Sequence, residues 1–248
     1  AMHGAQQYIA DKLKLLNSAE LPYRLDGIDE QIALLEKKQD ITYHEKQKKA
    51  IRNAVCFGVS IVTGGPGTGK TTVIKAILDI FDIIGISYAL AAPTGRAAKR
   101  MSEASGREAK TIHRLLEMTY SEEAKPVFSK NADDPLGVKA VVIDEMSMVD
   151  TLLMEALLRS LKSETILILI GDVDQLPPVG PGNVLCDMIQ SDEFPTTRLE
   201  HIFRQASESM IVMNAHRINA GEEPVCNKKD SDFFFIGEDD SKRARTLT

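Results

Sequence analysis

The run Gly64-Gly65-Pro66-Gly67-Thr68-Gly69-Lys70-Thr71 matches the phosphate-binding pattern G-x-x-x-x-G-K-[ST] at every fixed position. The chemistry that this spacing allows is capture of a nucleoside triphosphate. Glycines at 64, 65, 67 and 69 permit positive φ and turn backbone N–H groups inward, and the N-terminus of a following helix adds partial positive charge. Lys70 is placed to reach the β- and γ-phosphates and Thr71 to hold Mg²⁺ through its hydroxyl, with Gly65, Pro66, Gly67, Thr68, Gly69 and Thr72 completing the nucleotide-binding stretch. A glycine-rich turn with an exposed lysine is the bland alternative. The flanks argue against it: residues 59–62 read as a buried strand leading in, and residues 72–81 as a helix leading out.

A triphosphatase also needs carboxylates, and Val141-Val142-Ile143-Asp144-Glu145 supplies two at the end of a strand-like apolar run. Asp144 is the metal-side candidate and Glu145 the candidate base, because adjacent residues leaving a strand point different ways. An acidic helix cap is the plainer reading, which Asp150 satisfies better. The next apolar run, residues 166–170, ends in Gly171-Asp172-Val173-Asp174-Gln175-Leu176-Pro177-Pro178-Val179-Gly180, where Gln175 is placed to sense the γ-phosphate. Farther on, Arg204 is a late arginine of the sort that stabilises a transferring phosphoryl group, though by itself it reads as a surface side chain.

These groups need a scaffold, and the hydrophobic pattern supplies one. Apolar β-rich runs at 59–62, 86–91, 140–143 and 165–170 alternate with helical segments such as 72–81 and 150–161, which predicts an α/β fold with a parallel sheet flanked by helices. Residues 5–38 carry two stretches at helical spacing, broken at Leu21-Pro22-Tyr23, and a third helix is expected over 42–57 with Lys46, Lys48, Lys49 and Arg52 on a solvated face. Met146, Met148, Leu152, Leu153, Met154, Leu157 and Leu158 form an apolar cluster expected in the core. Residues 118–130 place β-formers on either side of a polar centre, which suggests a short hairpin or a surface loop.

The 248 residues suffice for one large α/β domain with an appendage. No apolar run approaches the roughly eighteen residues of a membrane span. A formal charge of −6 argues against indiscriminate electrostatic binding to nucleic acid, so any such site is local. The cysteines at 56, 186 and 226 are too widely spaced for a zinc site or a disulfide framework, which fits a reducing, cytoplasmic setting without a secretory signal. Ala1 before Met2-His3-Gly4 reads as an expression-vector remnant and is set aside from fold reasoning.

Taken in order, Gly64 to Thr71, Ala92-Pro93-Thr94-Gly95-Arg96-Ala97-Ala98, Thr111-Ile112-His113-Arg114-Leu115-Leu116, Asp144-Glu145-Met146-Ser147, Gly171 to Pro178 and Leu199 to Gln205 resemble motifs I to IV of the RecD/TraA-like superfamily 1B DNA helicases. The resemblance covers about residues 41–222. It implies a RecA-like P-loop NTPase fold, with a helical segment at 5–40, a first motor domain at 41–222 carrying the hairpin insertion, and a tail at 223–248 leading toward a second RecA-like domain. No counterpart of motifs V and VI is seen, so the chain is expected to be the first motor domain of a longer enzyme and not to unwind DNA by itself.

The resemblance also implies roles for particular residues. Lys70, Glu145, Gln175 and Arg204 would be catalytic, with ATP as nucleotide, Gln47 reading the adenine edge, and Mg²⁺ held by Thr71 and Asp144. Pro93, Thr94, Gly95, Arg96, Thr111 and His113 would hold single-stranded DNA, and the hairpin would be a pin that splits the duplex. The family is expected to move 5′ to 3′ in DNA repair, recombination or conjugation, alone or with subunits of a nuclease complex, as in the exodeoxyribonuclease V alpha subunit. Two rivals stay open, a regulatory P-loop switch and a single-stranded DNA binding module without turnover. The absence of tryptophan and only 5% aromatic residues weaken the stacking platform such a module would use.

Overall fold

The computed structural model describes residues 2–21, 23, 26–121, 126–226 and 231–234, with the side chains of residues 204 and 205 excepted. The chain divides into two compact units, one of residues 1–65 and 69–200 and the other of residues 66–68 and 201–248.

The first unit opens with helices α1 (Met2–Ser18), α2 (Ile28–Gln39) and α3 (Glu45–Cys56). Strand β1 (Val59–Gly64) and helix α4 (Lys70–Ile84) follow. Then come β2 (Tyr88–Ala92), α5 (Gly95–Ser105), β3 (Ala109–Thr111), α6 (Ile112–Leu115), and the antiparallel pair β4 (Met118–Tyr120) and β5 (Pro126–Phe128). The remainder is β6 (Ala140–Ile143), a 3₁₀ turn Met146–Met148, α7 (Thr151–Arg159), β7 (Ile166–Gly171), α8 (Val184–Ser191) and β8 (Thr196–Leu199).

Six strands form one sheet in the order β3-β2-β6-β7-β1-β8, and every neighbouring pair is parallel. The period-two alternation of a strand explains how continuous apolar runs serve both faces. In β7, Ile166, Ile168 and Ile170 face a core with α3 and α4, while Leu167 and Leu169 face one with α1, α7 and α8. Val62 in β1 joins the first core and Val59 and Ile61 the second. A parallel sheet puts all its strand ends on one edge, so the loops after β1, β2, β6 and β7 emerge together where ligands bind in open α/β sheets.

The predicted helices and strands at these places are present, with differences at their ends. Helix α1 begins at Met2, so His3 and Gly4, set aside above, continue the helical turn that buries Ala5. The supposed solvated face of α3 is ion-paired: Lys46 with Glu200, Lys48 with Glu36, and Arg52 with Asp29 at 2.5 Å. Met146, Met154, Leu157 and Leu158 are buried as expected, but Met148 and Leu152 are about half exposed, because they lie on the outer side of the 3₁₀ turn and of the first turn of α7. Asp150 caps α7 by accepting from Leu153 N–H at 2.8 Å. The β4–β5 hairpin is present, and the centre of its connection, 122–125, lies outside the described residues.

The second unit contains α9 (Arg204–Ser207) and α10 (Met210–Asn219) together with the crown of the glycine-rich loop, residues 66–68. Phe203 N–H donates to the Gly67 carbonyl at 3.3 Å, and His216 Nε2 is 3.0 Å from the Pro66 carbonyl. Phe233 and Phe234 lie in no strand.

Candidate functional site

The glycine-rich loop leaves the end of β1 and re-enters at α4, whose cap Gly69 has φ 85°. An L side chain disfavours that conformation, which is the physical reason for glycine there. Lys70 folds back and donates to the carbonyls of Gly64 at 2.5 Å and Gly65 at 3.0 Å, so its ammonium is held at the mouth of the loop. Thr71 is exposed in the first turn of α4.

Two strands away, β6 ends at Ile143, and Asp144 N–H continues toward β2 by donating to the Ala91 carbonyl at 3.0 Å. The Asp144 carboxylate accepts from Glu145 N–H at 2.8 Å. Burial pushes the Asp144 carboxyl above its ordinary range and the Glu145 charge adds to the rise, while the Glu145 N–H and the cations Lys70 and Arg100 oppose it. Glu145 has φ 54° and ψ 41°, a left-handed conformation that costs energy outside glycine and is held here by the 3₁₀ turn that follows.

Between β6 and β1 lies β7, and the turn after it carries Gln175. Asp172 is 2% exposed, and its carboxylate accepts from Asp174 N–H at 3.1 Å and from Gln175 Nε2 at 3.4 Å. Gln175 itself is exposed. Gln47 is 2% exposed; its amide oxygen accepts from His44 N–H at 3.0 Å in a capping box, and its Nε2 faces the Gly69 carbonyl at 3.4 Å. Gln47 is thus a buried brace between the start of α3 and the start of α4.

At the next loops along the edge, Thr94 caps α5 by accepting from Ala97 N–H at 3.2 Å, and Thr111 caps α6 by accepting from Arg114 N–H at 3.1 Å. Arg96 is exposed on the first turn of α5, beside Gly95. The His113 ring lies 6.3 Å from that of Phe128 in the hairpin. Arg204 opens α9 in the second unit, and its side chain lies outside the described ones.

Mg²⁺ fits the donor set: a partly buried carboxylate and a hydroxyl at a helix start suit a small hard cation that keeps water and phosphate ligands. Among the described residues no group of three His, Cys, Asp or Glu side chains could hold a metal.

The comparisons with known proteins agree with this geometry. A family model described as an AAA domain matches residues 47–181, from the Gln47 brace through the turn of Gln175. The chain belongs to this AAA domain family. The chain has a RecA-like P-loop fold. It is 35% identical over 222 residues to the ATP-dependent RecD2 DNA helicase of Deinococcus radiodurans, covering 90% of this chain and 30% of that protein. It is 32% identical over 251 residues to the RecBCD enzyme subunit RecD of Haemophilus influenzae, covering 91% of this chain and 38% of the relative. The AAA domain chain thus spans about a third of the length of these curated relatives. Among solved structures, the Pif1 helicase of Candida albicans shares the fold with a TM-score of 0.53 at 23% identity, over 74% of this chain and 45% of that one.

Sequence reasoning overlooked Thr63, and it named Gly171 and Asp172 only as part of the run that carries Gln175. Thr63 directly follows the apolar run 59–62, but its contact with the turn after β7 depends on the register of β1 against β7.

Proposed function

We propose that this chain is the ATP-binding and hydrolysing motor domain of a RecD-like DNA helicase, with residues 41–222 as the motor proper. The observation that supports it most is the delivery of Lys70, the Asp144–Glu145 pair and the Gln175 turn to one edge of the sheet, from the loops after β1, β6 and β7, which are neighbours in it. Lys70 exchanges the Gly64 and Gly65 carbonyls for the β- and γ-phosphates of ATP. Such an exchange costs little, because a charged donor leaves two neutral acceptors for an anion. Mg²⁺, held by Thr71 and Asp144, supplies charge neutralisation on the phosphates when bound.

Glu145 takes the proton of the attacking water, Gln175 contacts the γ-phosphate, and Arg204 opposes the charge that develops on it. Gln47 reads the adenine edge. Single-stranded DNA is held along Pro93, Thr94, Gly95, Arg96, Thr111 and His113, with Thr94 and Thr111 acting through the helix starts that they cap. The longer enzyme moves 5′ to 3′ with a second RecA-like domain, and the naming of one relative as a RecBCD subunit supports work beside nuclease subunits. A reducing cytoplasm suits the three free cysteines, and no described helix is long and apolar enough to cross a membrane.

The test is steady-state ATP hydrolysis with and without single-stranded DNA, using Lys70→Ala as the blank. Stimulation by DNA above the blank supports the motor reading. Absence of ATP binding in a separate titration removes it.

A further inference from the structure

Strands β1 and β7 lie side by side with Thr63 in register with Gly171, and each chain leaves the sheet within one residue of that pair. One departs as the phosphate-binding loop, the other as the turn that carries Gln175. The Thr63 side chain crosses between them. The Thr63 hydroxyl oxygen, 0% exposed, accepts from Val173 N–H at 3.1 Å, two residues beyond the last ladder partner.

The turn it grips is closed on itself. Gln175 N–H donates to the Asp172 carbonyl at 3.2 Å, and the Asp172 carboxylate collects Asp174 N–H and the Gln175 amide. A turn fastened internally moves as a unit, so its attachment to the sheet sets where Gln175 stands. From this geometry we infer that Thr63 is a positioning residue for ATP hydrolysis: its hydroxyl fixes the Asp172–Gln175 turn to the strand that delivers the phosphate-binding loop. The inference rests on the ATPase reading above.

The obvious rival is packing, since valine is nearly the shape of threonine and a buried threonine at a strand end could serve only to fill space. The two roles separate in a pair of variants. Thr63→Val keeps the volume and removes the acceptor; Thr63→Ser keeps the acceptor and removes a methyl group. Three measurements are made on each and on the wild type: ATP affinity by titration, kcat for ATP hydrolysis with single-stranded DNA, and amide hydrogen exchange across residues 172–175 without nucleotide.

For Thr63→Val the expected results are ATP affinity within about twofold of wild type, kcat down by about ten- to a hundredfold, and Val173 exchange faster by on the order of tenfold. Thr63→Ser should recover most of both losses. Thr63→Val combined with Gln175→Ala should lose no more kcat than Gln175→Ala alone, because both act through one side chain. Wild-type kcat and exchange in Thr63→Val overturn the inference, and so does a Thr63→Ser variant as impaired as Thr63→Val. If the wild type binds no ATP above Lys70→Ala, the ATPase reading itself has failed. Faster exchange in Thr63→Val with Ser rescue would in that case show the tie intact and the function misassigned.

Discussion

Gly171→Ala should separate catalysis from nucleotide binding. Gly171 ends β7, and a methyl group built on it stands 2.9 Å from Leu185 Cδ2, 3.2 Å from Met146 Cβ and 3.2 Å from Met146 N. Its φ is outside the left-handed region, so space and not backbone conformation is the obstacle. Leu185 can swing its terminal methyl aside, but the Met146 backbone must yield by a few tenths of an ångström. Overpacking of this kind costs about 1–3 kcal/mol, and replacing glycine returns about 0.4–1 kcal/mol through the unfolded chain. The net loss is about 0–2.6 kcal/mol, a fall in Tm of up to roughly 10 °C for a unit of this size.

The functional effect should exceed that. Met146 directly follows Glu145, the proposed base, whose left-handed φ of 54° sets how its carboxylate leaves the chain, so displacing the Met146 nitrogen turns it. A misplaced catalytic group commonly loses about a hundredfold in rate for about 1 Å of error, and a shift of tenths of an ångström should cost about three- to tenfold. Thermal unfolding without nucleotide, ATP titration and steady-state hydrolysis together give the answer. Lower kcat with unchanged ATP affinity and a modest fall in Tm is expected. A variant with wild-type kcat and Tm would refute the claim that the end of β7 sets the position of the base.

Lys70→Ala should abolish productive ATP binding in a direct titration, and unchanged affinity would take Lys70 out of the phosphate site. Glu145→Gln should bind ATP normally while hydrolysis falls by about a hundred- to ten-thousandfold; near-normal turnover would strike Glu145 as the base. Arg96→Ala should weaken binding to single-stranded DNA and lower the slope of log affinity against log salt by about 0.7 for one lost contact, and an unchanged slope would place Arg96 off the DNA path. Arg107→Leu should cost about 1–2 kcal/mol in denaturant unfolding, discounted for exposure, because Arg107 joins Asp79 at 2.5 Å and Asp82 at 2.6 Å. Burial works to raise the Asp82 carboxyl, but the Arg107 and Tyr88 hydrogen bonds and the Arg107 charge outweigh it and hold the group below its usual range. A depressed carboxyl stabilises the fold above the unfolded pKa and stops doing so as pH falls through the folded one, so the wild-type advantage should be present at pH 7 and shrink below about pH 4. An advantage that grows on acidification would contradict that assignment.

How much of this was legible depended on whether the signal lay along the chain or across it. Strands β1, β6 and β7 announced themselves because both faces of each are buried, which forces unbroken runs such as Ile166 to Ile170. The edge strands β3, Ala-Lys-Thr, and β8, Thr-Thr-Arg-Leu, are short and partly polar and gave no such pattern. Lys70 and the Asp144–Glu145 pair could be named from sequence because their spacing is local. The contacts of Thr63 and Gly171 could not, since one bonds to residue 173 and the other leaves room for residue 146. Gln47 was named but its setting was not, because burial against Gly69 depends on where α3 docks. Met148 and Leu152 show the reverse error, apolar residues at helical spacing that the 3₁₀ turn and the start of α7 leave half exposed.

The register of β1 has a consequence for how the protein is made. Val59 pairs with Leu167 and Ile61 with Thr196, so the strand that leads into the nucleotide loop acquires its neighbours only after almost the whole of the sheet's remaining sequence has been synthesised. Until then an apolar strand leaves the ribosome with no ladder on either side, and the closure of such distant pairs is slow. Nascent chains halted before residue 166 should therefore be protease-sensitive and prone to associate, and resistance should appear late, in one step, when β7 and β8 enclose β1.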